Sequence, residues 1–228
     1  MSEFLKQLEF IRNQFAWIKS KVELDNQLGL YNINKLGEDI FMHMINDVYD
    51  LNLKNANDIL HDNFPSIDLV DENSKKVIQV TSTTTLKKAR ETIKKLKDLK
   101  YHQITDETSN SLKNSISFFR QLENYEEYEI SFLYINDKPN IKTKNWEFFL
   151  EEENLNESNF IGLDDLIEII QANPTKCETL YRTIRQRLDN ISFKFNIDSY
   201  FELAEPQLVN VTNDKFKEYE SELINFIQ

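Results

Sequence analysis

The sequence predicts an α/β fold in which a mixed sheet is flanked by helices, with extra N-terminal and C-terminal helices. Between residues 30 and 170, apolar residues follow helical spacing in some segments and fill short strand-length runs in others. Only three Gly and four Pro occur in 228 residues, which favours long helices over tight turns. A hydrophobic content of 40% suits a globular core.

The first half of the chain is predicted to place helices around one hairpin. Ser2 is predicted to cap the first helix, in which Leu5, Leu8 and Ile11 begin a three-to-four repeat. The helix that follows the hairpin has an apolar face and carries basic residues elsewhere. The predicted elements are a helix over 3–24, a helix over 35–51, a short strand near Leu53, strands over 67–71 and 76–81 and a helix over 85–100.

The second half is predicted to add further strands, one of them interior to the sheet, and more helices. The predicted elements are a short helix over 112–122, a mostly apolar strand over 128–137, a helix over 144–155, a short strand running into a helix over 160–173 and a helix over 175–190. We therefore predict three parts: an N-terminal helix over 1–30 that packs on the core, a core domain over 31–190 and a C-terminal arm over 191–228. The arm would serve as a linker or an oligomerisation segment.

Two polar residues interrupt the predicted hairpin, where buried strands should be apolar. A turn at Asn73–Ser74 would place Val70 opposite Val77 and Asp68 opposite Gln79, on one face with Cβ atoms about 5 Å apart. Burying a carboxylate or an amide is costly unless a partner or a metal compensates it. A carboxylate beside an amide oxygen suits a hard cation such as Mg²⁺.

The segment that follows the second strand is suited to phosphate. Thr81 shares the face of Gln79, because strand side chains alternate. The run "TSTTT" then leads directly into the helix over 85–100, and a helix N-terminus favours an anion. The hairpin and the helix therefore predict a metal site beside a phosphate site.

The charge balance limits the partners that the sequence predicts. The formal net charge is −12, and the field of an acidic protein opposes indiscriminate binding to nucleic acid. A local basic surface is the exception. Only Glu91 and Asp98 oppose its cations, which are Lys87, Lys88, Arg90, Lys94, Lys95, Lys97 and Lys100.

Cysteine usage and hydropathy predict a cytoplasmic protein with no membrane partner. The single Cys177 cannot form an intramolecular disulfide. The N-terminal segment carries charges every few residues, unlike a signal peptide, and no apolar run approaches the length of a membrane span.

The hairpin resembles the motif of the PD-(D/E)xK nuclease superfamily. There an Asp in one strand is followed in the next by an acid or Gln, one residue and Lys. The segment "PSID" supplies Asp68, and "QVT" supplies Gln79 with Thr81 in the place of the lysine. Lys88, or less readily Lys87, could replace that lysine from the first turn of the following helix; otherwise the site is inactive.

The resemblance also implies a restriction endonuclease-like fold and a third acidic ligand. Glu38, in "LGEDIF", occupies the place of the glutamate that a preceding helix contributes. Glu38, Asp68 and Gln79 would then hold Mg²⁺ or Mn²⁺, and Thr81 and Lys88 would complete the catalytic set.

Three segments narrow the resemblance to the SMEK domain, a bacterial module of presumed defence proteins. They are "YNINKLGEDIF", "PSIDLVD" and "IQVTSTTTLKKARETI", and the likeness covers roughly residues 1–140. It implies metal-dependent hydrolysis of nucleic acid, first of all DNA, by an effector of a prokaryotic anti-phage system. The nucleic acid would bind through Lys87, Lys88, Arg90 and Lys94. A second copy of the chain and a sensor or ATPase are further partners that the resemblance allows.

Each site residue also has a structural interpretation. Asp68 could cap the turn or pair with Lys76, and Gln79 could be a half-exposed residue of an edge strand. Glu38 could be solvated on its helix, and Thr81 could be a strand former. The acidic segments "LENYEEYE" and "FLEEENLNE" are expected on the back of the molecule or on a partner-facing surface. The alternative function is a catalytically inactive nuclease-fold module for oligomerisation or partner binding.

Overall fold

The computed structural model describes residues 2–28, 32–60, 64 and 67–192, with side chains outside 24–28, 32–38 and 188–192. Its helices are α1 (Glu3–Leu28), α2 (Asn32–Tyr49), α3 (Ala56–Ile59), α4 (Leu86–Tyr101), α5 (Asn110–Phe119), α6 (Lys144–Glu153), α7 (Leu163–Ala172) and α8 (Pro174–Ser192). Its strands are β1 (Lys54–Asn55), β2 (Leu69–Asp71), β3 (Lys76–Thr81), β4 (Glu129–Tyr134) and β5 (Phe160–Gly162). Single 3-10 turns at Tyr125–Glu127 and Glu157–Asn159 precede β4 and β5.

The five strands form one mixed sheet in the order β1-β2-β3-β4-β5. The first three strands pair antiparallel, and β3, β4 and β5 pair parallel. Parallel neighbours require a crossover, which α4 and α5 supply between β3 and β4 and α6 supplies between β4 and β5. The structure therefore confirms the predicted mixed sheet flanked by helices.

One face of the sheet packs against α4, α5 and α6. The alternate residues of β3 and β4 that face these helices share a hydrophobic cluster with the apolar stripe of α4, which is Ala89, Ile93, Leu96 and Leu99. Aromatic rings fill the far side of the cluster. Phe132 stacks on Phe160 with centroids 5.3 Å apart, and Trp146 of α6 meets Phe160 edge-on at 5.6 Å. α6 therefore covers β4 and β5, while α4 lies over β3.

The opposite face carries α1, α2 and α7. These helices contact one another, and none of their buried residues belongs to the cluster around α4. Hydrogen bonds from polar side chains connect α2 to the neighbouring segments of this layer. The Asn46 amide bonds both the N–H and the carbonyl of Leu53, and Lys176 of α8 donates to the Val48 carbonyl at 2.6 Å. β3 is therefore covered on both sides, as a central strand must be.

The structure moves the predicted boundaries near the hairpin. β1 is confined to two residues, because Asn55 caps α3 by accepting from the Asn57 N–H at 2.9 Å. The sequence analysis missed α3, a single turn. β2 begins at Leu69 rather than at residue 67. The Val80 N–H of β3 donates to the carboxylate of Asp68, where a backbone carbonyl of a longer β2 would otherwise accept.

The described residues up to Ile184 belong to one compact unit, and the chain divides after Ile184. The predicted boundaries near residues 30 and 190 stay predictions, and beyond residue 192 the predicted arm lies outside the described residues. Among the described helices, none has the length and apolar character needed to cross a membrane.

Gly162, at the end of β5, lies under the side chain of Lys138. A Cβ at this position would lie 2.8 Å from Lys138 Cγ and 3.2 Å from its Cδ. Lys138 is held in place because its Nζ lies 2.6 Å from Asp165 Oδ1, and Asp165 Oδ2 also accepts from the Gly162 N–H. The chain therefore requires glycine here for space.

We expect Gly162→Ala to lower the free energy of unfolding by about 1–2 kcal/mol, because the added methyl overpacks the contact. Urea unfolding measures the change. Combining Gly162→Ala with Lys138→Ala should restore part of the loss, since the truncated lysine leaves room for the methyl. Additive effects of the two changes would contradict this account of Gly162.

Candidate functional site

The β2–β3 hairpin has the register that the sequence predicted. Val70 pairs with Val77, and one step further Leu69 pairs with Ile78. The ladder ends at that pair, and the Asp68 N–H donates to the Ile78 carbonyl, one residue short of the predicted partner Gln79. The two side chains still meet, because Gln79 Nε2 donates to Asp68 Oδ2. The predicted contact between the two polar side chains is confirmed, although they lie beyond the paired residues of β2.

The carboxylate of Asp68 extends the hairpin where the β2 ladder ends. The Val80 N–H donates to Asp68 Oδ2 at 2.6 Å, a bond that a strand carbonyl would otherwise receive. The backbone of Asp68 is also held, since its N–H donates to the Ile78 carbonyl at 3.0 Å and its carbonyl accepts from Ala56 at 2.8 Å. Asp68 is thus fixed by its own main chain. It neither caps the turn nor pairs with Lys76.

Gln79 is buried in the central strand, with 7% of its surface exposed. Its Nε2 donates to Asp68 and to the Val80 carbonyl, whereas its Oε1 is buried and accepts no hydrogen bond from any residue that the structure describes. An unsatisfied buried acceptor is expensive. The interpretation of Gln79 as an edge residue is wrong, because β3 pairs with β2 and β4.

The Asp68–Gln79 pair has the donor atoms that a hard cation prefers. A carboxylate oxygen and an amide oxygen are typical Mg²⁺ ligands, and the buried Oε1 is an acceptor without a donor. In the structure Nε2, and not Oε1, faces Asp68, so a cation shared by the two side chains requires the amide to rotate and Nε2 to take the buried place of Oε1. After that rotation the two oxygens have the chemistry that a divalent ion prefers.

The third predicted ligand, Glu38, lies on α2 at a position whose side chain is outside the described residues. Among the side chains that are described, no three of His, Cys, Asp and Glu come together as a metal site. A complete ligand set would therefore need Glu38 or water and phosphate oxygens.

Thr81 ends β3 on the same face as Gln79, as predicted. Its Oγ1 accepts from the Thr83 N–H at 3.0 Å, so the hydroxyl closes the turn that leads to α4. The side chain is 8% exposed. Thr81 therefore acts as a strand-ending cap in the position where the superfamily motif has lysine.

α4 begins with a side-chain cap beside this turn. Thr85 is the N-cap and its Oγ1 accepts from the Lys88 N–H at 3.3 Å. Lys87 is 86% exposed and lies 3.9 Å from Glu91, whereas Lys88 is partly buried and has no ion pair to a described residue.

The position of Lys88 around α4 also favours it over Lys87. Arg90 and Lys97 contact α6, which covers β4 and β5. In an α-helix Lys88 lies about 160° around the axis from Arg90. Lys88 is therefore on the side of α4 that faces β2 and Asp68.

Glutamates of α6 neutralise part of the basic surface of α4. Arg90 lies 2.8 Å from Glu152, and Lys97 lies 2.5 Å from Glu153. Lys100 donates to two backbone carbonyls. Glu152 and Glu153 of the acidic segment "FLEEENLNE" therefore lie beside the basic helix, because α6 packs alongside α4. Their placement on the back of the molecule or on a partner-facing surface stays a prediction.

Asp71 has the turn-capping role that the sequence analysis weighed for Asp68. Its Oδ1 accepts from the N–H groups of Asn73 and Ser74 at 2.9 and 3.3 Å, and its Oδ2 accepts from Asn52 at 3.0 Å. Burial alone would raise the pKa of Asp71, but the hydrogen bond from Asn52 and those from the turn hold it below the ordinary value. The signal was present in "DENS", since Asp commonly opens such turns.

Comparison with known proteins gives one match. A family model described as the SMEK domain matches residues 10–107, which include α2, the β2–β3 hairpin and α4. No match was found among the curated proteins, and none was found among the solved structures. The likeness to the PD-(D/E)xK nucleases is tested by none of these comparisons and stays a prediction. Over residues 10–107 the chain is similar to the SMEK domain.

Proposed function

We propose that this chain is a metal-dependent nuclease that hydrolyses phosphodiester bonds in nucleic acid, with DNA as the first substrate to test. The observation that carries the proposal is the paired Asp68 and Gln79, whose buried Oε1 has no donor among the described residues. An acceptor left in this state beside a carboxylate is suited to a divalent cation. Mg²⁺ or Mn²⁺ is the proposed ion.

Three side chains would hold the ion in this proposal. Asp68 and Gln79 would contribute one oxygen each from the hairpin. Glu38 is the third ligand by the family resemblance alone, because Gln79 is on the face of β3 toward α4 whereas α2 packs on the opposite face. When bound, the cation would lower the pKa of a coordinated water and offset charge on the phosphoryl oxygens. Side chains of this chain would position the attacking water and the phosphoryl oxygens.

Lys88 is the proposed replacement for the missing superfamily lysine. It is in the first turn of α4, on the side of the helix that faces β2, and it has no ion pair to a described residue. Its ammonium group would hold the attacking water or the negative phosphoryl oxygens near Asp68. Thr81 would support it by fixing the turn between β3 and α4 through the bond from Thr83.

A thermal shift experiment tests the metal site directly. We expect millimolar Mg²⁺ or Mn²⁺ to raise the Tm of the wild-type chain by several degrees, because a ligand that binds only the folded state stabilises it. Asp68→Asn should abolish the shift. Asp137→Asn is the matched control, since Asp137 is an exposed carboxylate after β4 that pairs with Lys19. An equal shift for the wild type and Asp68→Asn would place the metal elsewhere.

The second candidate function is a nuclease-fold module without catalytic activity that assembles with itself or with a partner. Two observations favour it: Oδ2 of Asp68 already accepts from Gln79 and Val80, and Thr81 occupies the lysine position as a turn cap. The two candidates differ in the thermal shift, because the inactive module has no reason to bind a divalent ion at Asp68.

The biological role that we propose is that of an effector in prokaryotic anti-phage defence, acting in the cytoplasm. The similarity to the SMEK domain over residues 10–107 supports this role through the family resemblance. Self-assembly and a sensor or ATPase partner belong to the same proposal.

A further inference from the structure

The cations of α4 divide into separate rows along the helix. Residues seven apart lie on nearly the same side of an α-helix, about 10 Å from one another. Arg90 and Lys97 form one row, which faces α6. Lys87 and Lys94 form a row opposite the buried stripe, and Lys88 and Lys95 form a row on the flank away from α6. We call these two the outer rows, because neither faces α6.

The row of Arg90 and Lys97 is exposed, but each cation is already paired with a carboxylate of α6. Arg90 Nη1 lies 2.8 Å from Glu152 Oε2, and its guanidinium lies over the Phe149 ring at 5.1 Å. Lys97 Nζ lies 2.5 Å from Glu153, whose side chain is only 11% exposed. A phosphate would have to displace a carboxylate at both positions, and this exchange of one anion for another gives little net attraction.

The outer rows remain available. Lys88, Lys94 and Lys95 have no ion pair to any residue within the described part of the chain, and Lys87 has only an exposed pair with Glu91 at 3.9 Å. Such an exposed pair within one helix is worth a few tenths of a kcal/mol. The two outer rows begin at the first turn of α4, the end of the helix that follows Thr81.

We propose that the phosphate backbone of a nucleic acid runs along the outer rows of α4, from Lys88 to Lys95, and that Glu152 and Glu153 exclude Arg90 and Lys97 from the contact. This inference rests on the proposed nuclease function for its ligand. It removes Arg90 from the contacts that the sequence predicted and adds Lys95. The acidic remainder of the protein then confines the backbone to this strip, because a net charge of −12 repels phosphate elsewhere.

The salt dependence of DNA binding shows which rows of α4 contact phosphate. A fluorescent 20-base-pair DNA duplex is titrated with the full chain in EDTA at several salt concentrations, so that cleavage does not occur. Each phosphate contact contributes about 0.9 to the slope of log K against log salt. Lys94→Gln with Lys95→Gln should therefore lower the slope by about 1.8. Arg90→Gln with Lys97→Gln makes the same change in charge and should leave the slope within about 0.5 of the wild type.

Equal losses of slope for the two double variants would overturn the proposal, and so would an absence of DNA binding by the wild-type chain. Lys97→Gln alone, which keeps Arg90 over Phe149, repeats the control if the double variant does not fold. The matched single variant is Lys95→Gln. Because binding is measured without metal, the failure of cleavage alone counts against the nuclease and leaves the strip on α4 in place. If the wild type cleaves DNA but the two double variants have the same salt slope, the result counts against the proposed contact along α4 and not against the nuclease activity.

Discussion

Asp68→Ala is expected to reduce Mg²⁺-dependent nicking of supercoiled plasmid by at least about 100-fold. A metal and its bound water supply several kcal/mol of transition-state stabilisation, and each 1.36 kcal/mol corresponds to a factor of ten in rate. Asp68 is the carboxylate of the pair in which the buried Oε1 of Gln79 accepts no hydrogen bond from the described part of the chain. Removing it should therefore remove the ion. Nicking is followed by the conversion of supercoiled to open-circular DNA in gels.

The loss must be separated from a loss of folding, because Asp68 also supports the hairpin. Asp68→Ala deprives the Val80 N–H and the Gln79 amide of their acceptor, at an expected cost of about 1–3 kcal/mol. Asp68→Asn keeps an acceptor for Val80 and should be equally inactive. Asp137→Ala, which removes an exposed carboxylate, should nick like the wild type. Full nicking activity in Asp68→Asn would rule out the proposed metal site, whereas an absence of nicking by the wild type would favour the inactive module.

Asp71→Asn is expected to lower the free energy of unfolding by about 2 kcal/mol at pH 7. The carboxylate is 2% exposed and accepts backbone hydrogen bonds through both oxygens. An asparagine turns one oxygen into a donor, so one backbone N–H is left facing another donor. Urea unfolding of the two proteins measures the difference.

The difference in the free energy of unfolding between the wild type and Asp71→Asn should also depend on pH, with a sign that follows from the pKa of Asp71. The folded-state pKa of Asp71 lies below its ordinary value, so the carboxylate stabilises the fold above the unfolded pKa of about 3.9. This contribution is lost as the pH falls through the folded pKa. The gap between the wild type and Asp71→Asn should therefore narrow in acid. Glu72→Gln, at an exposed neighbour paired with Lys54, is the control and should show no comparable gap.

Local pattern was enough to predict the hairpin and the helix after it. The turn at Asn73–Ser74 and strand alternation were enough to predict the pairing of Val70 with Val77, and with it the meeting of the Asp68 and Gln79 side chains. The apolar stripe of α4 likewise fixed which side of that helix is buried. Both signals extend over a few residues, so no tertiary information was required.

The interactions that the sequence could not predict join distant segments. Arg90 and Glu152 are 62 positions apart, and nothing near either residue indicates the contact between α4 and α6. The roles of Asp71 and Asp68 were harder to distinguish for a similar reason. Both are acids near one turn, and only the Asn52 N–H and the Val80 N–H, brought in by the folded chain, separate them.

The sheet changes from antiparallel to parallel pairing at β3, and this change has a consequence for the order of folding. The pairing of β2 with β3 closes a short loop, whereas β3 meets β4 only after α4 and α5 have been traversed. Loop-closure entropy and contact order therefore favour the antiparallel half as an early nucleus and the parallel half as a late addition. Asp68 and Gln79 both belong to the early half, so their pairing depends on the most local part of the topology.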